Sequence, residues 1–173
     1  MSKSLLPEQK GLTWRDEDSC IEMRKLLISD VPFITSSWLR SNRDSPATWG
    51  IGNTEYFYYG HLYLEEILAR CTTLVLCNSQ NPDQILGYIS YERFGEGVLC
   101  IHYLYIKKPY RDMGLGTALV DEVLHLEGEP EVVQVTHVSK ASRSVMARKE
   151  EYRRWRYNPY LIFATLPSDW ARG

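Results

Sequence analysis

Hydrophobic residues recur along this chain in short runs whose period switches between two and about four, so strands and helices are predicted in mixed order. Ile21–Ile28 is a short run that predicts a strand. Asp30 stands ahead of Val31–Pro32–Phe33 as an N-cap before an early-turn proline, so a first helix is expected from about Val31 to Arg40. Ser41–Asn53 carries Asn, Asp, Pro and Gly and predicts a loop. Thr54 then caps a second helix that repeats Phe57, Leu64 and Leu68 on one face. Thr72–Cys77 and Ile85–Phe94, separated by a polar turn at Asn78–Asp83, predict two antiparallel strands.

Val98–Ile106 is apolar and aromatic at alternating and intervening positions alike, which predicts a central strand covered on both faces. A glycine-containing turn and a helix over Gly114–Leu126 follow, with Leu115, Leu119, Val123 and Leu126 on the buried face and Gly128 to stop it. Val132–Val138 predicts a strand, Ser142–Arg153 a polar helix and Tyr157–Ala164 a last strand. The order is strand, two helices, three strands, helix, strand, helix, strand. It predicts an α/β fold with a mixed sheet and one parallel crossover around Gly114–Leu126.

With 173 residues and 44% hydrophobic content, the chain suits one domain, expected at 21–173 behind an arm at 1–20 that packs through Trp14. A net charge of -2 argues against a nucleic-acid partner or an anionic membrane surface. Cys20, Cys71, Cys77 and Cys100 lack metal-ligand spacing, so reduced thiols and no metal site are expected. No segment reads as a secretory signal or a membrane span, and a cytoplasmic location is expected.

The chemistry concentrates at the junction of the central strand and the following helix. Arg111–Asp112–Met113–Gly114–Leu115–Gly116–Thr117 spells Arg-x-x-Gly-x-Gly directly after a strand and at the head of a helix. Glycines let such a turn close round an anion, and the helix start adds unpaired N–H groups and a positive dipole end. There is no Gly-Lys-Ser/Thr for a nucleotide triphosphatase.

On this segment and the element order around it, residues 22–165 resemble the Gcn5-related N-acetyltransferase (GNAT) superfamily. The resemblance implies a mixed sheet of about six to seven strands flanked by four helices, with a splayed parallel strand pair at the cofactor site. It implies acetyl-CoA as co-substrate, its pyrophosphate held by the Arg111–Thr117 loop. It places the thioester-carbonyl donor on the Leu104 N–H and the pantetheine contact on Ile106. The acceptor is an amine, either a small molecule or a protein lysine. Phe33–Leu39, Ile101–Ile106, Thr136–His137 and Tyr157–Leu161 also resemble a group of bacteriophage-encoded acetyltransferase-like proteins.

Transfer to an amine requires a base for the ammonium, donors for an oxyanion and an acid for the thiolate. Many superfamily members carry Glu where Cys100 stands here. The arylalkylamine acetyltransferases instead resemble this chain in a His nine residues before the loop Arg, which points to His102 as base. Histidine's ordinary pKa, ~6.5, suits proton acceptance near neutrality. Tyr152 matches the spacing of the superfamily's acid, with Tyr157 and Tyr160 as alternatives because Arg156 replaces a usual glycine. His137 is a candidate for the acceptor pocket or for a structural hydrogen bond. Direct attack in a ternary complex is the expected route, while Cys100, on the strand face of His102, keeps a covalent one open. The second reading is a non-catalytic GNAT-fold protein that binds CoA or a host protein, and the exposed aromatics of Tyr56–Tyr63 and the last strand offer a surface for a homodimer.

Overall fold

The chain is described by a computed structural model over residues 14–16, 20–94, 98–148 and 155–161. Its elements are β1 (Trp14–Asp16), β2 (Ile21–Lys25), α1 (Val31–Asn42), α2 (Asn53–Arg70), β3 (Thr72–Asn78), β4 (Asn81–Phe94), β5 (Val98–Ile106), α3 (Leu115–Leu126), β6 (Val132–Val135), α4 (Lys140–Arg148) and β7 (Trp155–Tyr157). All seven strands form one sheet in chain order. The first five pair antiparallel, while β5–β6 and β6–β7 are parallel. Three residues of the expected N-terminal arm thus join the sheet as its edge strand.

The sheet is buried on both faces. On one face, α3 and α4 bring Leu119, Val120, Val123 and Val145 onto Leu76, Ile89, Leu99, Ile101, Leu104 and Ile106. On the other, α1 and α2 bring Ile34, Trp38, Leu64 and Ile67 onto Val75, Tyr88 and Tyr103. This sandwich explains the near-continuous apolar run of β5, which needs hydrophobic groups on both sides.

Within β5 the alternation breaks once. Tyr91 pairs with Ile101 and Ser90 with Tyr103, so His102 is an extra residue, a β-bulge. Before it, the odd-numbered Leu99 and Ile101 face α3; after it, the even-numbered Leu104 and Ile106 do.

Three sequence expectations change. Asp30 precedes α1, but its carboxylate takes the Leu27 N–H at 2.8 Å and two Arg24 guanidinium bonds at 2.6 and 3.0 Å, and it makes no cap bond to the helix. The cap of α2 is Gly52, not Thr54, because a residue without a side chain leaves room for Glu55 to fold back over the helix start. Among the described residues the last strand is Trp155–Tyr157, which stops where Tyr157–Ala164 was expected to begin; residues 162–164 of that expected strand lie outside the described residues. Asn158 donates to Gln134 Oε1 at 2.7 Å and accepts the Tyr160 N–H at 3.2 Å, and Pro159 has no N–H, so the chain turns there.

The Arg24–Asp30 pair ties β2 to the start of α1, with the two side chains 14% and 4% exposed. Removing the charge from one partner of a buried pair leaves the other uncompensated. Asp30→Asn should lower unfolding stability by about 3 kcal/mol, seen as a lower thermal midpoint, without altering ligand binding. An unchanged midpoint would show that the pair contributes nothing net.

Candidate active site

The turn from β5 into α3 gathers the backbone features that favour an anion: left-handed residues and a helix start. Asp112 and Gly114 both lie in the left-handed region, at φ 64° and 78°. Asp tolerates this conformation and glycine adopts it without strain, which favours them there. Gly114 is the N-cap of α3, and the first helical bond runs from the Ala118 N–H to its carbonyl at 3.0 Å. The N–H groups of Leu115, Gly116 and Thr117 therefore have no intrahelical acceptor. A Cβ on Gly116 would come within 3.3 Å of Val145, so glycine also permits close packing of α3 on α4. The cleft here is lined by Arg111, Asp112, Gly114, Gly116, Thr117 and Lys140. Met113 is 60% exposed and its side chain takes no part in the lining.

A second cleft, of about 490 Å³, runs on between β5 and α4 and is lined by Asn42, Tyr103, Leu104, Ile106, Ser139 and Arg143, among others. It exists because β5 and β6 pair only from Val98↔Val132 to Ile101↔Val135 and then separate. The edge of β5 that β6 abandons is satisfied by side chains. The His102 carbonyl accepts from His137 Nδ1 at 3.1 Å, the Leu104 carbonyl from Ser139 Oγ at 2.6 Å, and the Ile106 carbonyl from Arg111 Nε at 2.9 Å. The Lys107 N–H turns the other way, to Leu86 of β4 at 2.8 Å. By strand alternation the Leu104 and Ile106 N–H groups face the cleft, beside their own carbonyls.

Beyond the separation point lies a third cavity, of about 530 Å³, under α1 and α2. Trp38, Tyr56, Tyr59, Tyr63, Asn42 and His137 line it, and Asn42 and the Tyr103–His137 ring contact link it to the second cleft. Both cavities have the size of small-molecule sites, ~300–1,000 Å³. The Tyr63 hydroxyl is buried with no hydrogen-bond partner among the described residues, and burial raises its pKa. Tyr56, counted with the exposed aromatics in the sequence, is instead buried and donates to the Leu39 carbonyl at 2.8 Å.

His102 is fully buried in the bulge, and both of its ring nitrogens are engaged. Nε2 lies 3.3 Å from Glu92 Oε2, and Nδ1 lies 3.2 Å from Thr136 Oγ1. Cys100 Sγ stands 3.9 Å from the same Nδ1, and burial pushes this thiol up to about 12, so it stays protonated and weakly nucleophilic at neutral pH. His137 is lowered to about 4 by burial and by neighbouring His102, and so is a neutral imidazole.

The loop residues Arg111, Asp112, Gly114, Leu115, Gly116 and Thr117 come together with Ile106 around the first cleft, and Leu104 joins Ile106 and Arg111 around the second. Tyr152 lies outside the described residues. Tyr157 and Tyr160 are 55% and 75% exposed and line none of the three cavities. Sequence reading missed Glu92, whose signal was a carboxylate inside the apolar run Ile85–Phe94 of β4. It also missed Ser139, which caps α4 through the Ser142 N–H at 3.1 Å and so starts that helix two residues earlier than expected, at Lys140. Among the described residues no three His, Cys, Asp or Glu converge as metal ligands, and no helix is long and apolar enough to cross a membrane.

Solved structures share this fold, and two of them illustrate it. One, from Clostridium difficile 630 and described as a possible acetyltransferase, superposes with a TM-score of 0.54 at 17% identity, covering 81% of this chain and 93% of its own. The other, from Clostridium acetobutylicum and described as a predicted acetyltransferase with acetyl-CoA, gives a TM-score of 0.52 at 17% identity, covering 82% and 97%. No curated protein matches the chain. The profile of the Acetyltransferase (GNAT) family matches residues 35–147, a span that runs from α1 through α4 and contains the anion loop, the separated strands and most of the lining of all three cavities. The chain therefore belongs to the acetyltransferase (GNAT) family.

Proposed function

We propose that the protein is an N-acetyltransferase that takes an acetyl group from acetyl-CoA and passes it to an amine by direct attack in a ternary complex. The observation that carries this reading is the continuity of the anion cradle at Gly114–Thr117 with the open edge of β5 at Leu104 and Ile106. The relative from Clostridium acetobutylicum, described with acetyl-CoA, supports the choice of co-substrate.

Acetyl-CoA fits the residues present. Its pyrophosphate matches the free amides of Leu115, Gly116 and Thr117, with Arg111, Lys140 and Arg143 supplying positive charge along the same clefts. Its pantetheine arm, an amide chain, matches a strand edge that offers the Ile106 N–H. When bound, it supplies an activated acyl group on a thiol leaving group. The Leu104 N–H then donates to the carbonyl oxygen, an interaction that strengthens as negative charge grows there. We place base duty on His102, acting through groups that reach the cavity, and acid duty on Tyr152. Cys100, held as a thiol, takes no part as a carrier.

The acceptor reaches the strand separation from the α1–α2 side, through the aromatic cavity of Trp38, Tyr56, Tyr59 and Tyr63. Its wall suits an amine with an apolar body, the amino group lying toward His137.

Gly114→Val should abolish the calorimetric signal for acetyl-CoA, because a β-branched residue strains at φ 78°. Full affinity in the folded variant would remove the reading. Tyr152→Phe should lower kcat roughly tenfold or more while acetyl-CoA affinity holds, since a proton delivered to the leaving thiolate acts only in the transition state. Loss of activity in Tyr157→Phe or Tyr160→Phe instead would reassign the acid.

A further inference from the structure

Resting on the acetyl-transfer reading above, we propose that Glu92, His102, Thr136 and His137 form a proton relay that carries the acceptor amine's proton from the aromatic cavity to a solvent-reached carboxylate on the same face of the sheet. His137 is its catalytic residue at the cavity. His102, buried in the bulge, is an interior link.

The links are continuous. His137 Nδ1 lies 3.0 Å from Thr136 Oγ1, which lies 3.2 Å from His102 Nδ1, and His102 Nε2 lies 3.3 Å from Glu92 Oε2. Thr136 is 2% exposed and His102 0%, so no water need compete along the interior. Glu92 is different: its side chain is 23% exposed, which opens that end to solvent.

The partners set the direction of each proton. The Glu92 carboxylate only accepts, so in the neutral ring of His102 the proton sits on Nε2 and Nδ1 is the acceptor. In the relay the Thr136 hydroxyl donates to His102 Nδ1 at 3.2 Å in preference to the His102 carbonyl, which lies 3.3 Å from the same oxygen. The His102 carbonyl, 3.1 Å from His137 Nδ1, also only accepts, so His137 carries its proton on Nδ1. Its Nε2 keeps a lone pair, and the ring lines the cavity against Trp38 and Tyr103.

Each step moves one proton along one hydrogen bond. The acceptor's ammonium gives a proton to His137 Nε2. The Nδ1 proton of His137 passes to Thr136 Oγ1, the hydroxyl proton of Thr136 to His102 Nδ1, and the Nε2 proton of His102 to Glu92 Oε2. The ammonium becomes a neutral amine, the carboxylate becomes a carboxylic acid, and both imidazoles end neutral with their tautomers exchanged. Solvent then takes the proton from Glu92. Handing the proton on lets a weak base serve, and the low pKa of His137 fits a group that must not hold it.

Two measurements test this. Long-range ¹H–¹⁵N spectra of the ¹⁵N-histidine-labelled protein should show His137 protonated at Nδ1 and His102 at Nε2. The opposite tautomer at either ring overturns the relay, and this reading needs no turnover. Thiol release from acetyl-CoA is then followed with methylamine, hexylamine and 2-phenylethylamine. For the best-accepted amine, Thr136→Val and Glu92→Gln should each lower kcat roughly tenfold or more, with KM for acetyl-CoA changed less than about twofold and Thr136→Ser recovering most of the rate. A Gln at 92 still accepts from His102 Nε2 but cannot take the proton, so it separates relay from packing. Wild-type kcat in both variants overturns the relay. Absence of turnover by the wild-type protein with every amine contradicts the proposed function, while the tautomers still decide the hydrogen-bond chain.

Discussion

The site depends on one extra residue in β5. Without the bulge at His102, strand alternation would carry Leu104 and Ile106 to the α1–α2 face and turn their N–H groups into the ladder with β4. With it, both side chains pack beneath α3 and both N–H groups face the side that β6 abandons. The same residue fills the bulge with an imidazole pinned between Glu92 and Thr136, so the distortion is held by hydrogen bonds as well as by packing.

Separation of β5 from β6 would ordinarily expose a row of carbonyls in a buried place, which is costly. Here His137, Ser139 and Arg111 each cover one of them. These three residues come from the end of β6, the cap of α4 and the anion loop. The opening is thus tied to the elements that form the first cleft, and the aromatic cavity meets it from the opposite face of the sheet. The sheet itself keeps the two clefts apart except at the gap.

Much of this was legible in the sequence. The element order, the covered central strand and the Arg111–Thr117 loop follow from hydrophobic runs and glycine placement, and the structure has all three. The bulge was not legible, because His102 and Tyr103 both suit a buried strand and nothing local marks an inserted residue. Nor was the relay, since Glu92 and Thr136 meet His102 only through strand pairing across separations of 10 and 34 residues. Asp30 was read as a helix cap from its place before Val31, whereas tertiary contact with Arg24 claims its carboxylate.

Amide chemical shifts followed during titration with acetyl-CoA test most directly whether the edge opened by the bulge is the binding edge. The account predicts that Leu104, Ile106, Leu115, Gly116 and Thr117 move together and saturate at one affinity, while the β4-facing Lys107 amide moves far less. Saturable binding that leaves Leu104 and Ile106 unshifted would contradict it.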